Sequence, residues 1–353
     1  MQEYEKQCAL YSDFTEKIEK LIRDLLKEKD INVHSIPSRL KKSESLKKKL
    51  DRAEGNYLKL SDIADISGVR IITYFADDVD VVAKIIEEEF DIDRKNSVDK
   101  RAMLDPDRFG YISLHYVAKL PNSRLQLTEY RRFSNCNVEI QIRSILQHTW
   151  AEIEHDLGYK TKESVPKDIR RRFSRLAGLL EIADDEFIQI RDSLKEYENK
   201  VPVRISETPA SVLIDQASLL AFIKNSTLVH ELDQRIATIT KTNILEEPDI
   251  AVIPNLKYVG LETIADIESA LREFGEVALS LAGKWIKGGK GSYISPGICL
   301  FYLCYILAAH SRSAIQLMDY LKTFKIGKSE KGREIIAEDI ISVHNQAISN
   351  IKS

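Results

Sequence analysis

Residues Gly68–Phe75 read GVRIITYF, and residues Val138–Arg143 read VEIQIR. Both runs are rich in β-branched and aromatic side chains, the composition of strands. Successive side chains of a strand point to opposite faces. Val138, Ile140 and Ile142 therefore share one face, and Glu139, Gln141 and Arg143 share the other. Around these two runs, the pattern predicts a helix over Asp78–Glu89, strands over Ile112–Leu120 and Asn137–Arg143, and a helix over Ser144–Leu157. Strands and helices in this order predict an α+β domain with a mixed sheet flanked by helices.

The flanks read as helix. Leu10, Phe14, Ile18, Leu21, Ile22 and Leu25 recur at helical spacing across residues 4–29. Pro37 interrupts, and the basic segment Ser38–Arg52 again favours helix. A long charged helix is expected over Pro166–Asn199, with Leu176, Leu179, Leu180, Ile182, Ala183, Phe187, Ile190 and Leu194 on its apolar face. Pro202, Pro209, Pro248 and Pro254 punctuate the chain beyond it. Residues 210–353 read as all-helical, with helices at 210–225, 228–241, 261–283, 296–323 and 333–351. Four segments result: an N-terminal helix (1–34), a catalytic domain (35–165), a connecting helix (166–200) and a helical C-terminal domain (201–353).

A chain of 353 residues exceeds what one compact core usually takes. Charged residues make up 30% of it, yet the net charge is only −3, which excludes a global basic field drawing it to nucleic acid or membrane. Cys8, Cys136, Cys299 and Cys304 show neither a CxxC pair nor metal-ligand spacing. The polar N-terminus has no signal-peptide core. The longest apolar run, Gly297–Ala309, is too short to cross a bilayer as a helix and reads as a buried core helix. A soluble cytoplasmic protein is expected.

Four polar groupings carry possible chemistry, each with a plainer alternative. Glu139, Gln141 and Arg143 form a polar strand face, or simply one that meets water. Tyr111, Ser113 and His115 share a strand face suited to base stacking and phosphate contact, or form an aromatic edge with a satisfied histidine. Asp65 stands at the mouth of the GVRIITYF strand, where a carboxylate suits a hard cation such as Mg²⁺, or merely caps a turn. Arg70 lies just inside that strand, and an arginine stacks on a base or binds phosphate. Lys41, Ser45 and Lys49 fall at i, i+4 and i+8, one face of a helix, aligned on a triphosphate or only solvated.

In order, these groupings spell R-x-K-x-x-x-S-x-x-x-K from Arg39, D-x-x-G-x-R from Asp65, G-Y-x-S-x-H from Gly110 and V-E-I-Q-I-R from Val138. That series closely resembles the synthetase domain of the RelA/SpoT family over about residues 35–160, and HTWAEIEHDLGYK (148–160) resembles the helix that follows it there. The resemblance implies a nucleotidyltransferase-like fold. It implies an enzyme that moves the β,γ-pyrophosphate of ATP to the 3′-hydroxyl of GDP or GTP, releasing AMP and making the alarmone (p)ppGpp. It also implies roles: Asp65 and Glu139 on Mg²⁺, with Glu139 a candidate base; Arg39 and Arg70 about the adenine; and Lys41, Ser45 and Lys49 facing the triphosphate. On the acceptor side it implies Tyr111 on the base, His115 on phosphate with Ser113 on the same strand face, and Gln141 and Arg143 as support.

The sequence departs from the family in LDPDRFGY, where Asp107 replaces an expected lysine and Arg108 stands next to it, and mildly at Ser144. The first departure concerns the acceptor, so tRNA 3′ ends and adenosine nucleotides, used by relatives, stay open beside GDP and GTP. A catalytically degenerate nucleotide-sensing module is the non-enzyme alternative, and retention of both Asp65 and Glu139 argues against it. No histidine–aspartate hydrolase motif is visible. His148, Glu152 and His155 fall at i, i+4 and i+7, which suggests a metal site or, more plainly, a helix resting on the sheet beside Trp150. Residues 257–271 carry a weak helix-hairpin-helix pattern in acidic surroundings, better read as core packing. Residues 201–353 offer no catalytic constellation, and a regulatory partner or a homo-oligomer is compatible with them.

Overall fold

The computed structural model describes residues 2–52, 60–99, 113–157, 166–288, 291–310 and 314–352. The chain divides into two compact units, Met1–Asp192 and Ser193–Ser353.

In the first unit, α1 (Gln2–Glu28) leads into two short strands, β1 (Val33–Ser35) and β2 (Ser38–Leu40). Then come α2 (Ser43–Arg52), β3 (Ser67–Thr73), α3 (Asp78–Glu89), β4 (Asp91–Ile92) and β5 (Val98–Asp99). They are followed by β6 (Leu114–Lys119), α4 (Asn122–Leu125), β7 (Val138–Ser144), α5 (Ile145–Asp156) and the long α6 (Lys167–Glu207), whose end lies in the second unit. The strands form one sheet in the order β1-β3-β7-β6-β4, with β2 beside β3 and β5 beside β6. β3 and β7 run parallel and the other pairs antiparallel, so the sheet is mixed as expected. One face carries Val69, Ile71, Val138, Ile140, Ile142, Leu114 and Tyr116, all buried in one core with Phe14, Ile18 and Ile22 of α1 and Val82 and Ile86 of α3. The alternation read from VEIQIR thus sets which face is dry.

The segment Ser38–Arg52 is not one helix. Ser38–Leu40 pair with Ser67–Val69 as a strand, and the Lys41 amide extends that ladder by donating to Ile66 O at 2.9 Å. Backbone pairing with the central strand wins over local helical preference, since tertiary context routinely overrides propensity. Lys41 therefore precedes α2 and does not share a helix face with Ser45 and Lys49.

The second unit continues with α7 (Gln216–Asn225), α8 (Thr227–Thr240), β8 (Asn243–Ile244), α9 (Ile253–Tyr258) and α10 (Ile264–Trp285). It closes with β9 (Tyr293–Ile294), α11 (Ile298–His310), α12 (Ala314–Thr323) and α13 (Glu330–Lys352). It is mainly helical, but a short parallel ladder joins β8 to β9, so it is not all-helical. Within the expected helix 296–323, α11 and α12 are helical, and residues 311–313 between them lie outside the described residues. Pro202 does not end α6: the buried Val201 and the partly buried Ile205 hold the helix beyond it despite the lost amide. α11 is the core helix read from its composition, with Cys299, Leu300, Leu303, Cys304 and Ile306 almost fully buried. Asp233 of α8 receives the amides of Gly297 and Cys299 at the start of α11, at 2.5 and 3.0 Å. Gly297 has φ +85°, and a Cβ there would meet Ile223 at 2.7 Å, so only glycine fits. No helix among the described residues is long and apolar enough to cross a membrane.

Candidate active site

Strand register gathers the polar residues on the sheet face opposite the core. Gly68 and Arg70 of β3 stand beside Glu139 and Gln141 of β7. His115 of β6 stands beside Gln141 on the other flank, and Arg39 of β2 beside Gly68. A Cβ at Gly68 would lie 3.5 Å from Arg39 Cγ and 3.7 Å from its Nε, so the bare glycine backbone gives the Arg39 side chain a bed.

A hydrogen-bonded row runs along this face. Ser113 Oγ lies 2.5 Å from His115 Nε2, and His115 Nδ1 lies 3.2 Å from Glu139 Oε1. The Gln141 amide donates to Glu139 Oε2 at 3.0 Å, and Arg143 donates to Gln141 Oε1. A carboxylate only accepts, so a neutral His115 carries its proton on Nδ1 and receives the Ser113 hydroxyl at Nε2. Burial acts to raise the Glu139 pKa, but the hydrogen bond and charge of His115 and the Gln141 amide outweigh it and hold the group below its ordinary value. The charge of Asp65 acts on Glu139 in the raising direction.

Asp65, just before β3, is held by Lys41 Nζ at 2.6 Å and Lys49 Nζ at 2.9 Å. Burial would raise its pKa, yet the two lysines together pull it below the carboxylate norm. Both acids are thus ionised at neutral pH. Lys41 and Lys49 do converge, but on Asp65, Lys41 from the link between β2 and α2 and Lys49 from α2. Ser45 is exposed on α2.

A cationic cluster borders the acids. Arg70 donates to Glu152 of α5 at 2.7 Å. Burial pushes the Arg143 guanidinium down to about 10, with the charge of Arg70 adding to it and that of Arg39 also felt. His148 of α5 is lowered by burial and then by Arg143. The Nε atoms of Arg70 and Arg143 are buried without a hydrogen-bond partner. Unpaired buried donors are rare in native proteins, and here they face a site rich in positive charge. The arrangement suits a polyanion whose oxygens take up those donors.

Glu152 is the residue whose partner sequence reading missed: it pairs with Arg70, on a helix whose Trp150 is buried as the plainer reading of His148, Glu152 and His155 expects. Its position one turn beyond His148, on the helix after VEIQIR, was the available signal. Tyr111, Asp107 and Arg108 lie outside the described residues. Two ionised carboxylates, Asp65 and Glu139, do fit Mg²⁺, which needs only one or two carboxylates beside phosphate and water oxygens.

The family model for a region found in RelA / SpoT proteins matches residues 38–164. GTP pyrophosphokinase YwaC of Bacillus subtilis is 32% identical over 157 residues, covering 44% of this chain and 71% of that protein. GTP pyrophosphokinase YjbM of the same organism is 29% identical over 165 residues, covering 46% of this chain and 74% of that protein. A crystal structure of small alarmone synthetase 1 from B. subtilis aligns with 56% of this chain and 100% of its own length, at 25% identity and a TM-score of 0.45. With a relative 32% identical that is covered over 71% of its length, the chain belongs to the RelA/SpoT family of pyrophosphokinases.

Proposed function

We propose that the first unit transfers the β,γ-pyrophosphate of ATP to the 3′-hydroxyl of GDP or GTP, releasing AMP and forming (p)ppGpp. The observation that carries this reading is the strand register that places Arg39, Arg70, Glu139, Gln141 and His115 on neighbouring strands, with Asp65 just before β3 held by Lys41 and Lys49. The two B. subtilis relatives, both named GTP pyrophosphokinases, support a guanosine acceptor.

Pyrophosphoryl transfer has little covalent chemistry for a protein to perform, and positioning and charge neutralisation dominate. Asp65 and Glu139 would hold Mg²⁺, which supplies charge neutralisation on the transferring phosphates. Arg39 on its glycine bed and Arg70 braced by Glu152 hold the donor base. Lys41 and Lys49 exchange their ion pairs with Asp65 for phosphate oxygens, with Ser45 on the same helix as Lys49. Glu139 takes the proton of the attacking hydroxyl. Its lowered pKa makes it a weak base, so its main contribution is placement, through His115 and Gln141. Ser113, His115 and Arg143 face the acceptor phosphates, and Tyr111 stacks on the acceptor base.

The test offers β,γ-labelled ATP and Mg²⁺ with GDP, GTP, ATP and tRNA in parallel. Labelled guanosine product is expected. Label on tRNA alone would replace the acceptor in this reading, and no labelled product from folded protein would defeat it.

A further inference from the structure

The end of the catalytic strand is gripped from outside the matched region. Asp184, on α6 and beyond the residues 38–164 that match the family, is 4% exposed. It receives the Ser144 hydroxyl at 2.9 Å. Ser144 is fully buried, directly follows Arg143 on β7, and is the N-cap of α5. Its Oγ also accepts from the Gln147 amide at 3.2 Å, while its own amide donates to Gln147 Oε1 at 2.9 Å. One hydroxyl therefore ties together β7, α5 and α6.

A buried carboxylate is costly and persists where its hydrogen bonds are needed. The residues on α5 give the arrangement its consequence. His148 and Glu152 lie one and two turns beyond the cap, and Glu152 is the carboxylate that holds Arg70. A small rotation of the first turn of α5 would carry Glu152 away and release the guanidinium. We propose that Asp184 is a positioning residue: through Ser144 it fixes the β7–α5 junction and so keeps Glu152 and Arg70 aligned on the donor nucleotide. This rests on the donor role proposed for Arg70.

The full chain is tested by calorimetry with Mg²⁺–ATP and by labelled pyrophosphate transfer. Asp184→Ala and Ser144→Ala are each expected to weaken ATP binding and raise its KM about tenfold, the scale of a lost buried hydrogen bond, with kcat within about threefold. Asp184→Asn still accepts the Ser144 hydroxyl and should stay within about threefold of the native protein. The double alanine variant should be no worse than either single, since one link is cut twice. Native ATP affinity in folded Asp184→Ala, losses that multiply in the double variant, or an Asn variant as weak as Ala would overturn the proposal. Should Asp184→Ala fail to fold, Ser144→Ala against Asp184→Asn carries the same comparison. A native protein that binds ATP but transfers nothing would defeat the functional reading while the affinities still decide Asp184; one that binds no ATP defeats both.

Discussion

At the scale of single residues, the site depends on acids kept ionised against burial. Glu139 accepts from both His115 and Gln141, so Glu139→Gln removes a charge without removing volume. Its expected outcome is a fall in kcat/KM of about 10²–10³, as for loss of one preorganised electrostatic group. Thermal unfolding should barely change, and a fully active variant would show that another carboxylate does this work. Asp65 and Glu139 both titrate below their ordinary values. For a depressed acid, the stabilisation is present above the unfolded pKa and is lost as pH falls through the folded one. Activity should thus hold down through the ordinary carboxylate range and fail only below it, a limb readable in the pH profile of kcat/KM. Gly68 offers a second single-residue test. A Cβ there makes ordinary contact with Arg39, so Gly68→Ala should leave ATP affinity within about twofold, whereas the branched Gly68→Val displaces Arg39 and should raise the KM for ATP about tenfold.

At the scale of elements, two junctions show how helices are aimed. Ser144 closes a capping box with Gln147 and starts α5 at the end of β7. Asp233 performs the corresponding task for α11 from a neighbouring helix. Asp233→Ala leaves two buried amides unpaired and should lower the stability of the second unit by about 2 kcal/mol, measured as a shifted thermal or denaturant midpoint. An unchanged midpoint would mean that water replaces the cap. Neither junction follows from helical periodicity. Ser144 is readable as a cap because Gln lies three residues on, but its partner Asp184 is 40 positions away. Asp233 caps a helix that begins 65 residues later than itself, so no local pattern reveals it.

Over the whole molecule, each unit has its own hydrophobic core. The second contains a histidine pair in which Nε2 of the buried His344 lies 3.1 Å from Nδ1 of the exposed His310. Burial lowers the pKa of His344, the charge of His310 adds to this, and a hydrogen bond with Asn345 opposes it. For a lowered histidine the folded state binds fewer protons than the unfolded one. Stability of the second unit is therefore full above the ordinary histidine pKa and is lost as pH falls through the folded value. His344→Gln should flatten that acid dependence between about pH 7 and 5 in denaturant melts. A slope that persists in the variant would assign it to another group.

The amino-acid order alone determined the mixed sheet of the first unit, the dry face of VEIQIR and the helices at 78–89 and 145–156, because periodicity and local chemistry encode these. Arg39, Asp65, Arg70, His115 and Glu139 were named from the order of the motifs, whose resemblance to a family singled them out where each local pattern had a plainer reading. Tertiary structure decided the features that local patterns do not carry. Pairing with β3 drew Ser38–Leu40 out of a helix and separated Lys41 from Ser45 and Lys49. Packing of Val201 and Ile205 carried α6 through Pro202. A long-range ion pair gave Glu152 to Arg70 and a long-range hydrogen bond gave Asp184 to Ser144, contacts between residues 82 and 40 positions apart. Such pairs are set by which faces the core brings together, and sequence spacing bears no trace of them.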